Sequence, residues 1–545
     1  GLDINEVFST YLYTGTGSSR TITNGIDLAE EDGLVWLKKR SASDSHYLMN
    51  VIGSTPYFLS SNNSDDESSL PSSLFSLTNS GFNLNVFNDS GADYTSWSFR
   101  NAPKFFQKIR YTGNGQNRQI SHDLGTAVGS IFVKLTSEGG SWMVWHRGLS
   151  NTTKGFLHLN ETAAEGGPDN DVWASTAPTN TQFSVGNYPH TNSSGKEYVA
   201  FLFAHNDGDG GFGPDSDQDI IKCGSYAGNA TSVDLGFEPQ FIIVKRTDSA
   251  ENWMMFDTMR GWNTDGNPIA WLMPNRNSSE STITNGYFRL TSTGFNMSSG
   301  YTPLNNGSSS SNYIYIAIRR GPLNPPEAAT EVFKPAITYD ENNDPGYNSG
   351  FVTDMLWYRH PGNQYVSNDE MRVITRLTQG KTLRMDQTVA ESGNTSSFDF
   401  SNGADAPVNE DYKGWLWKRA PSFFDVVAYT GLGANTNTVK HNLGVKPEMI
   451  WIKGRDTTYN WLVYHDITSS GFKRNYLNAQ NGDNTVRSYN SDYGLYSEPT
   501  DTQIQIDDLD ADLYNGSGQL YIAYLFATLD GISKVGSVSH SGSST

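Results

Sequence analysis

Apolar residues along this chain come in short runs of four to seven, divided by clusters of Gly, Asn, Ser and Asp. Leu34-Val-Trp-Leu-Lys38, Ile131-Phe-Val-Lys134, Phe241-Ile-Ile-Val-Lys245 and Met449-Ile-Trp-Ile-Lys453 are examples. Runs of this length, rich in β-branched and aromatic residues and bounded by turn formers, predict β-strands. Nearly all-apolar runs such as Tyr313-Ile-Tyr-Ile-Ala-Ile318 predict central strands covered on both faces. Helical periodicity is scarce. Asn368 to Leu377 reads as a short helix or, almost equally well, as a strand. The expected fold is all-β: tandem antiparallel β-sandwich domains, jelly-roll-like.

The strands repeat. Tyr13-Thr-Gly-Thr-Gly17, Tyr111-Thr-Gly-Asn-Gly115 and Tyr429-Thr-Gly-Leu-Gly433 share one phrase, and Tyr226-Ala-Gly-Asn229 is a weaker copy. A second strand follows in three units, as Trp142-Met-Val-Trp-His146, Trp253-Met-Met-Phe-Asp257 and Trp461-Leu-Val-Tyr-His465. A longer period lies above this one. Trp97 to Phe106 recurs at Trp415 to Phe424, and Lys222-Cys-Gly-Ser225 recurs at Lys534-Val-Gly-Ser537. The order predicts units at 1–108, 109–215, 216–325, 326–425 and 426–532, with a sixth starting at 533–545. Two copies of a three-unit module account for it, and the polypeptide is expected to continue beyond Thr545. Pro322 to Pro326 is the clearest seam, and Asn206 to Asp219 the longest.

Composition narrows the function. The formal charge is −20, which disfavours a phosphate backbone and so excludes nucleic acid as the expected partner. No apolar run approaches the ~20 residues of a membrane span, so no membrane insertion is expected. The single cysteine, Cys223, rules out a disulfide framework within the chain and a thiolate zinc site.

Phe8-Ser-Thr-Tyr-Leu-Tyr-Thr-Gly-Thr-Gly17, the Ala-Pro-Lys/Ser-Phe-Phe segments and Leu525 to Gly536 resemble uncharacterised tandem β-domains of phage virion proteins. Those domains are associated with tail-fibre or appendage proteins of marine phages, including cyanophages. The resemblance implies a place on the virion surface and contact with the host, but neither a ligand nor a reaction; the expected partners are copies of the chain, other virion proteins and a host surface glycan or protein. It carries no catalytic motif. A tailspike-type glycan depolymerase and a secreted bacterial adhesin are the alternatives.

The residues offer little catalytic chemistry. There is no Gly-x-Ser-x-Gly elbow, Walker loop or His-Glu-x-x-His. His146 and His465 align with Asp257, and this exchange argues for edge or interface polar residues. His122 and His441 align as turn residues. Lys38, Lys134, Lys245 and Lys453 end equivalent strands, where lysine stems commonly snorkel along apolar surface. No cofactor is required. Asp207, Asp209, Asp215, Asp217 and Asp219 form the candidate calcium site, because calcium favours oxygen ligands on a pliant loop. An acidic inter-domain linker is the plainer reading of the same residues. Trp173, Trp262, Trp271 and Tyr301 lie in loop-like stretches and are the candidates for stacking on sugar rings.

Overall fold

In a computed structural model, residues 1–361, 370–433, 436–479, 483–490, 494–507 and 511–538 are described. The chain is 42% strand and 3% helix, and its ladders are antiparallel. It divides into two compact units, Gly1–Leu323 and Asn324–Thr545. The division falls inside the Pro322 to Pro326 seam.

Five sheets follow one another, and all five share one strand order. The opening strand pairs with the closing strand, the closing strand with the second, and the second with the third. In the first sheet these are Phe8–Thr14, Asp93–Arg100, Gly33–Lys39 and His46–Ile52. In the second they are Phe106–Thr112, Glu197–Ala204, Val128–Leu135 and Met143–His146. In the third they are Ile221–Ala227, Asn312–Arg319, Pro239–Arg246 and Met254–Asp257. The fourth uses Phe333–Thr338, Lys413–Trp417, Met355–Arg359 and Arg372–Thr375. The fifth uses Phe424–Thr430, Leu520–Phe526, Met449–Gly454 and Leu462–Thr468. We call each sheet with its short companion ladders a module. The fourth module keeps the order although it lacks the Tyr-Thr-Gly phrase. In the 368–377 stretch the described part is the strand Arg372–Thr375 and a 3-10 turn, Arg376–Thr378.

Burial follows strand position. Glu197–Ala204 lies between two neighbours, and every residue after Glu197 is buried. The opening strands lie at sheet edges and mix buried with half-exposed positions.

The Tyr-Thr-Gly phrase is a lock between the two ends of a module. The Tyr13, Tyr111, Tyr226 and Tyr429 rings stack on Tyr94, Tyr198, Tyr313 and Tyr521 at 5.1–5.2 Å. Their hydroxyls donate to the carbonyls of Phe87, Thr191, Leu304 and Tyr514. Buried Asn88, Asn192 and Asn515 then accept from the backbone NH just after the glycine. The glycine itself is dictated by closeness. A Cβ on Gly113 would sit 2.1 Å from the Ser193 carbonyl oxygen, and one on Gly431 2.1 Å from that of Gly516. We expect Gly113→Ala to cost about 1–3 kcal/mol, since the backbone must move apart. Urea unfolding of the variant checks this; an unchanged midpoint would refute the lock.

Cores differ between the units. In the first, one core runs from Phe8, Trp36 and Trp97 through Phe132 and Phe203 to Phe241 and Trp253, beside a separate cluster around Ile22, Phe75 and Phe82 in the first module. In the second, the fourth and fifth modules have separate cores, around Leu356 and Phe398 and around Tyr464 and Leu525.

Candidate functional site

The repeated side chains converge where the first three modules meet. Trp142 of the second module donates its indole NH to the Ser60 carbonyl of the first, at 2.9 Å. Trp253 of the third does the same to the His158 carbonyl of the second, at 3.0 Å. His46 occupies the matching place in the first module, directly across the ladder from Lys38. Burial, then the charges of Lys38 and Arg260, pushes its pKa well below the ordinary value. The Met273 backbone of the third module offsets this only partly.

Backbone bonds follow the same cycle. The NH groups of Gly140, Glu251 and Asp44 donate to the carbonyls of Ser64, Thr162 and Asn277. Those of Glu67, Glu165 and Glu280 donate back to Thr136, Thr247 and Arg40. Each module thus contacts the other two through one repeated set, and the three close a ring.

Three aligned positions reach across the junctions with different chemistry. Asn50 accepts from Arg110 of the second module at 3.2 Å. The His146 ring meets the Tyr315 carbonyl of the third at 3.0 Å. Asp257 accepts from the Trp97 indole of the first at 3.0 Å and from Arg260 at 2.7 Å, with both partners of the ion pair 0% exposed at their side chains. Arg260 and Arg40 both bind Glu280. Of the two readings the alignment left open, His146 and Asp257 take the interface one. His465 instead meets Asn475 within its own module. His122 and His441 each accept an NH two residues on, as turn residues.

The strand-end lysines do not snorkel. Lys38, Lys134, Lys245 and Lys453 are all 0% exposed. Their ammonium groups turn onto the carbonyl of the next residue, and Lys134 and Lys245 also reach Ser64 and Thr162 across the junctions. They offer no cation to a ligand. Burial lowers the pKa of each from 10.5 to about 8. Between those values the unfolded chain holds protons that the folded chain has released, so stability rises with pH from about 8 to 10.5. Buried Tyr111, Tyr226 and Tyr429, raised well above 10.0, act oppositely and lower stability above about pH 10. His146, pushed down to about 3 by burial, removes stability as pH falls below 6.5. Melting temperatures across pH 5 to 11 should therefore climb through pH 8–10 and then drop. Lys134→Met should flatten the climb, and a climb unaltered in that variant would refute the assignment.

A cavity of about 630 Å³ opens beside the junctions. It is lined from all three modules, by Asn62, by Asn160 to Ala163, and by Asn275 to Ser278. The Asn62, Asn160 and Asn275 carbonyls accept from the backbone NH of His46, Trp142 and Trp253, so these amides also fix the junction turns. Glu161 accepts from Ser141, and Arg276 donates to Asn252. The lining is amide, hydroxyl and one charge of each sign, suited to hydrogen-bonding a polar, hydroxyl-rich ligand.

The expected site residues are scattered. Trp173 is 1% exposed and donates to the Gly155 carbonyl at 2.9 Å. Trp262 is 0% exposed and stacks on Phe288 at 5.1 Å. Neither ring can stack on a sugar. Their flanks are loop-like, but the indoles are large enough to fill the module cores. Trp271 is half-buried on the strand Ile269–Trp271, and Tyr301 is half-buried and stacks on Tyr287 at 5.9 Å. The aspartates do not converge. Asp219 accepts from the Gly208 and Gly210 NH groups, and Asp209 from Thr126 and the Asp207 NH. Asp207 and Asp219 also flank Lys222 at 4.0 and 3.6 Å, while Asp215 and Asp217 are exposed. Among the described residues no three His, Cys, Asp or Glu side chains come together as a metal cluster. Nor is the segment a loose linker. Asn206 is buried and bonds Lys104, Ile220 and Ile221.

Glu67, Glu165 and Glu280 went unremarked in the sequence. Their signal is a fixed offset of five residues after Asn62, Asn160 and Asn275.

This construction, modules of one strand order joined by one repeated junction, defines a class of tandem β-proteins. The chain belongs to the family described as Domain of unknown function (DUF7483), whose model matches residues 3–322 and again 337–545. No curated protein matches. Among solved structures, the LG1-3 region of the laminin alpha2 chain aligns over 97% of this chain and 91% of its own, at 9% identity. Its TM-score is 0.07, so it carries no fold argument.

Proposed function

We propose that this chain is a structural and adhesive protein of a phage virion, a tail-fibre or appendage component at the particle surface. The observation that carries this reading is the ring. The Trp142 and Trp253 indoles, the Lys134 and Lys245 ammonium groups and the Glu67 and Glu280 carboxylates all bond across module junctions. Tandem modules of this kind set reach, and many copies on one particle turn weak contacts into firm attachment. The partners in this reading are copies of the chain, other virion proteins, and a host surface glycan or protein. The polar cavity offers the hydrogen-bonding surface that a glycan would use. Immunogold labelling with antibody to this chain should decorate intact virions. Bare virions beside labelled host cells would overturn the reading.

A further inference from the structure

The two modules of the second unit repeat the construction of the first two modules of the first unit. Ladder register gives the correspondence. Phe8 pairs with Phe99 as Phe333 pairs with Trp417, and Trp36 pairs with Trp97 as Trp357 pairs with Trp415. Phe132 pairs with Phe201 as Trp451 pairs with Tyr524. Leu159 and Leu477 each precede the asparagine that caps the junction tryptophan.

The junction between the fourth and fifth modules reproduces those of the first unit. Trp461 donates to the Arg384 carbonyl at 2.8 Å, the Glu391 NH donates to the Arg455 carbonyl at 2.6 Å, and Arg455 pairs with Glu391. The surfaces that face the third module in the first unit are different. There Phe8, Trp36, Trp97, Phe99, Phe132 and Leu159 are at most 1% exposed, in one core with Phe241 and Trp253 of the third module. Their counterparts Phe333, Trp357, Trp415, Trp417 and Trp451 are half-buried, and Leu477 is 37% exposed. The rings lie together: Trp357 is 4.8 Å from Trp417 and 5.6 Å from Trp451. The Trp417 and Trp451 indole NH groups are shielded yet have no acceptor. A contiguous aromatic face of this kind marks an interaction surface.

We propose that this face is a docking seat for a third module of the same strand order. The occupant would present an aromatic side chain where the third module presents Trp253, aimed at the carbonyl of Tyr476, the counterpart of His158. It would close a second ring by the contacts that close the first. The inference rests on continuity with an interface already formed in this chain, and it stands whether or not the protein belongs to a virion.

The test uses the full chain and an extended form in which residues 226–323 are appended in frame after Ser537. Hydroxyl-radical footprinting read by mass spectrometry reports each tryptophan. The expected result is at least fivefold slower labelling of Trp357, Trp415 and Trp417 in the extended chain. Restored labelling is expected when the appended copy carries Ala in place of its Trp253 equivalent. Equal labelling with and without the appended module overturns the proposal. A second measurement is independent of that extension. Trp415→Arg should leave the melting temperature of the unextended chain unchanged within about 1 °C, whereas Trp97→Arg should abolish soluble expression. If Trp415→Arg unfolds the chain as well, the face is ordinary core and the proposal fails.

Discussion

Asp257→Leu should destabilise the first unit by about 3–5 kcal/mol, the cost of breaking a buried ion pair by removing one partner. The carboxylate has no exposed side-chain surface and accepts from the Trp97 indole, the Arg260 guanidinium and the Arg260 NH. Removing it strips three acceptor contacts at once. Arg260 keeps Glu280, but Glu280 must then serve Arg40 and Arg260 alone. Pairing the change with Arg260→Met should recover part of the loss, because replacing both charges by apolar groups removes their desolvation cost. Urea unfolding of the two variants is the measurement. A double variant no more stable than the single one would show that the charge itself is not at fault.

Trp253→Ala carries the second large effect, about 3–5 kcal/mol from the cavity left by a buried indole. The ring sits in the continuous core of the first unit, 6.3 Å from Phe132 of the neighbouring module. Trp253→Phe keeps most of the packing and loses the bond to the His158 carbonyl, so it should cost only about 0.5–1.5 kcal/mol beyond the smaller volume change. Because the residue lies at a junction, its loss should also loosen the neighbouring module. Hydrogen exchange at Glu165, whose NH is bonded across that junction, should quicken in step. Protected Glu165 in an unfolding-prone variant would separate the tryptophan from the junction.

The strands and their fivefold repetition were legible, because turn formers separate apolar runs so cleanly. The ring was not legible, and the reason is physical. Its acceptors are main-chain carbonyls of Ser64, Thr162 and Asn277, which any residue supplies. Side-chain identity therefore records only one half of each contact. The lysines were misplaced for a related cause. A lysine ending an apolar strand reads the same whether its ammonium reaches water or curls onto a carbonyl. Trp173 and Trp262 were misread because Gly- and Asn-rich flanks look exposed even when the ring they carry is buried. The aspartates after Asn206 were read as calcium ligands or an acidic linker, but two of them fasten the backbone of their own segment.

The closed ring of the first unit also bears on how such a protein can change. A ring made of three identical chains repeats every substitution three times, so a change must suit all its junctions together. Here the junctions are written separately along one chain. One carries Asn50, the next His146 and the third Asp257 with its arginine. A buried carboxylate therefore needs a partner at one place only. Tethering thus frees each junction to vary alone, and the ring can acquire a distinct side without giving up its closure.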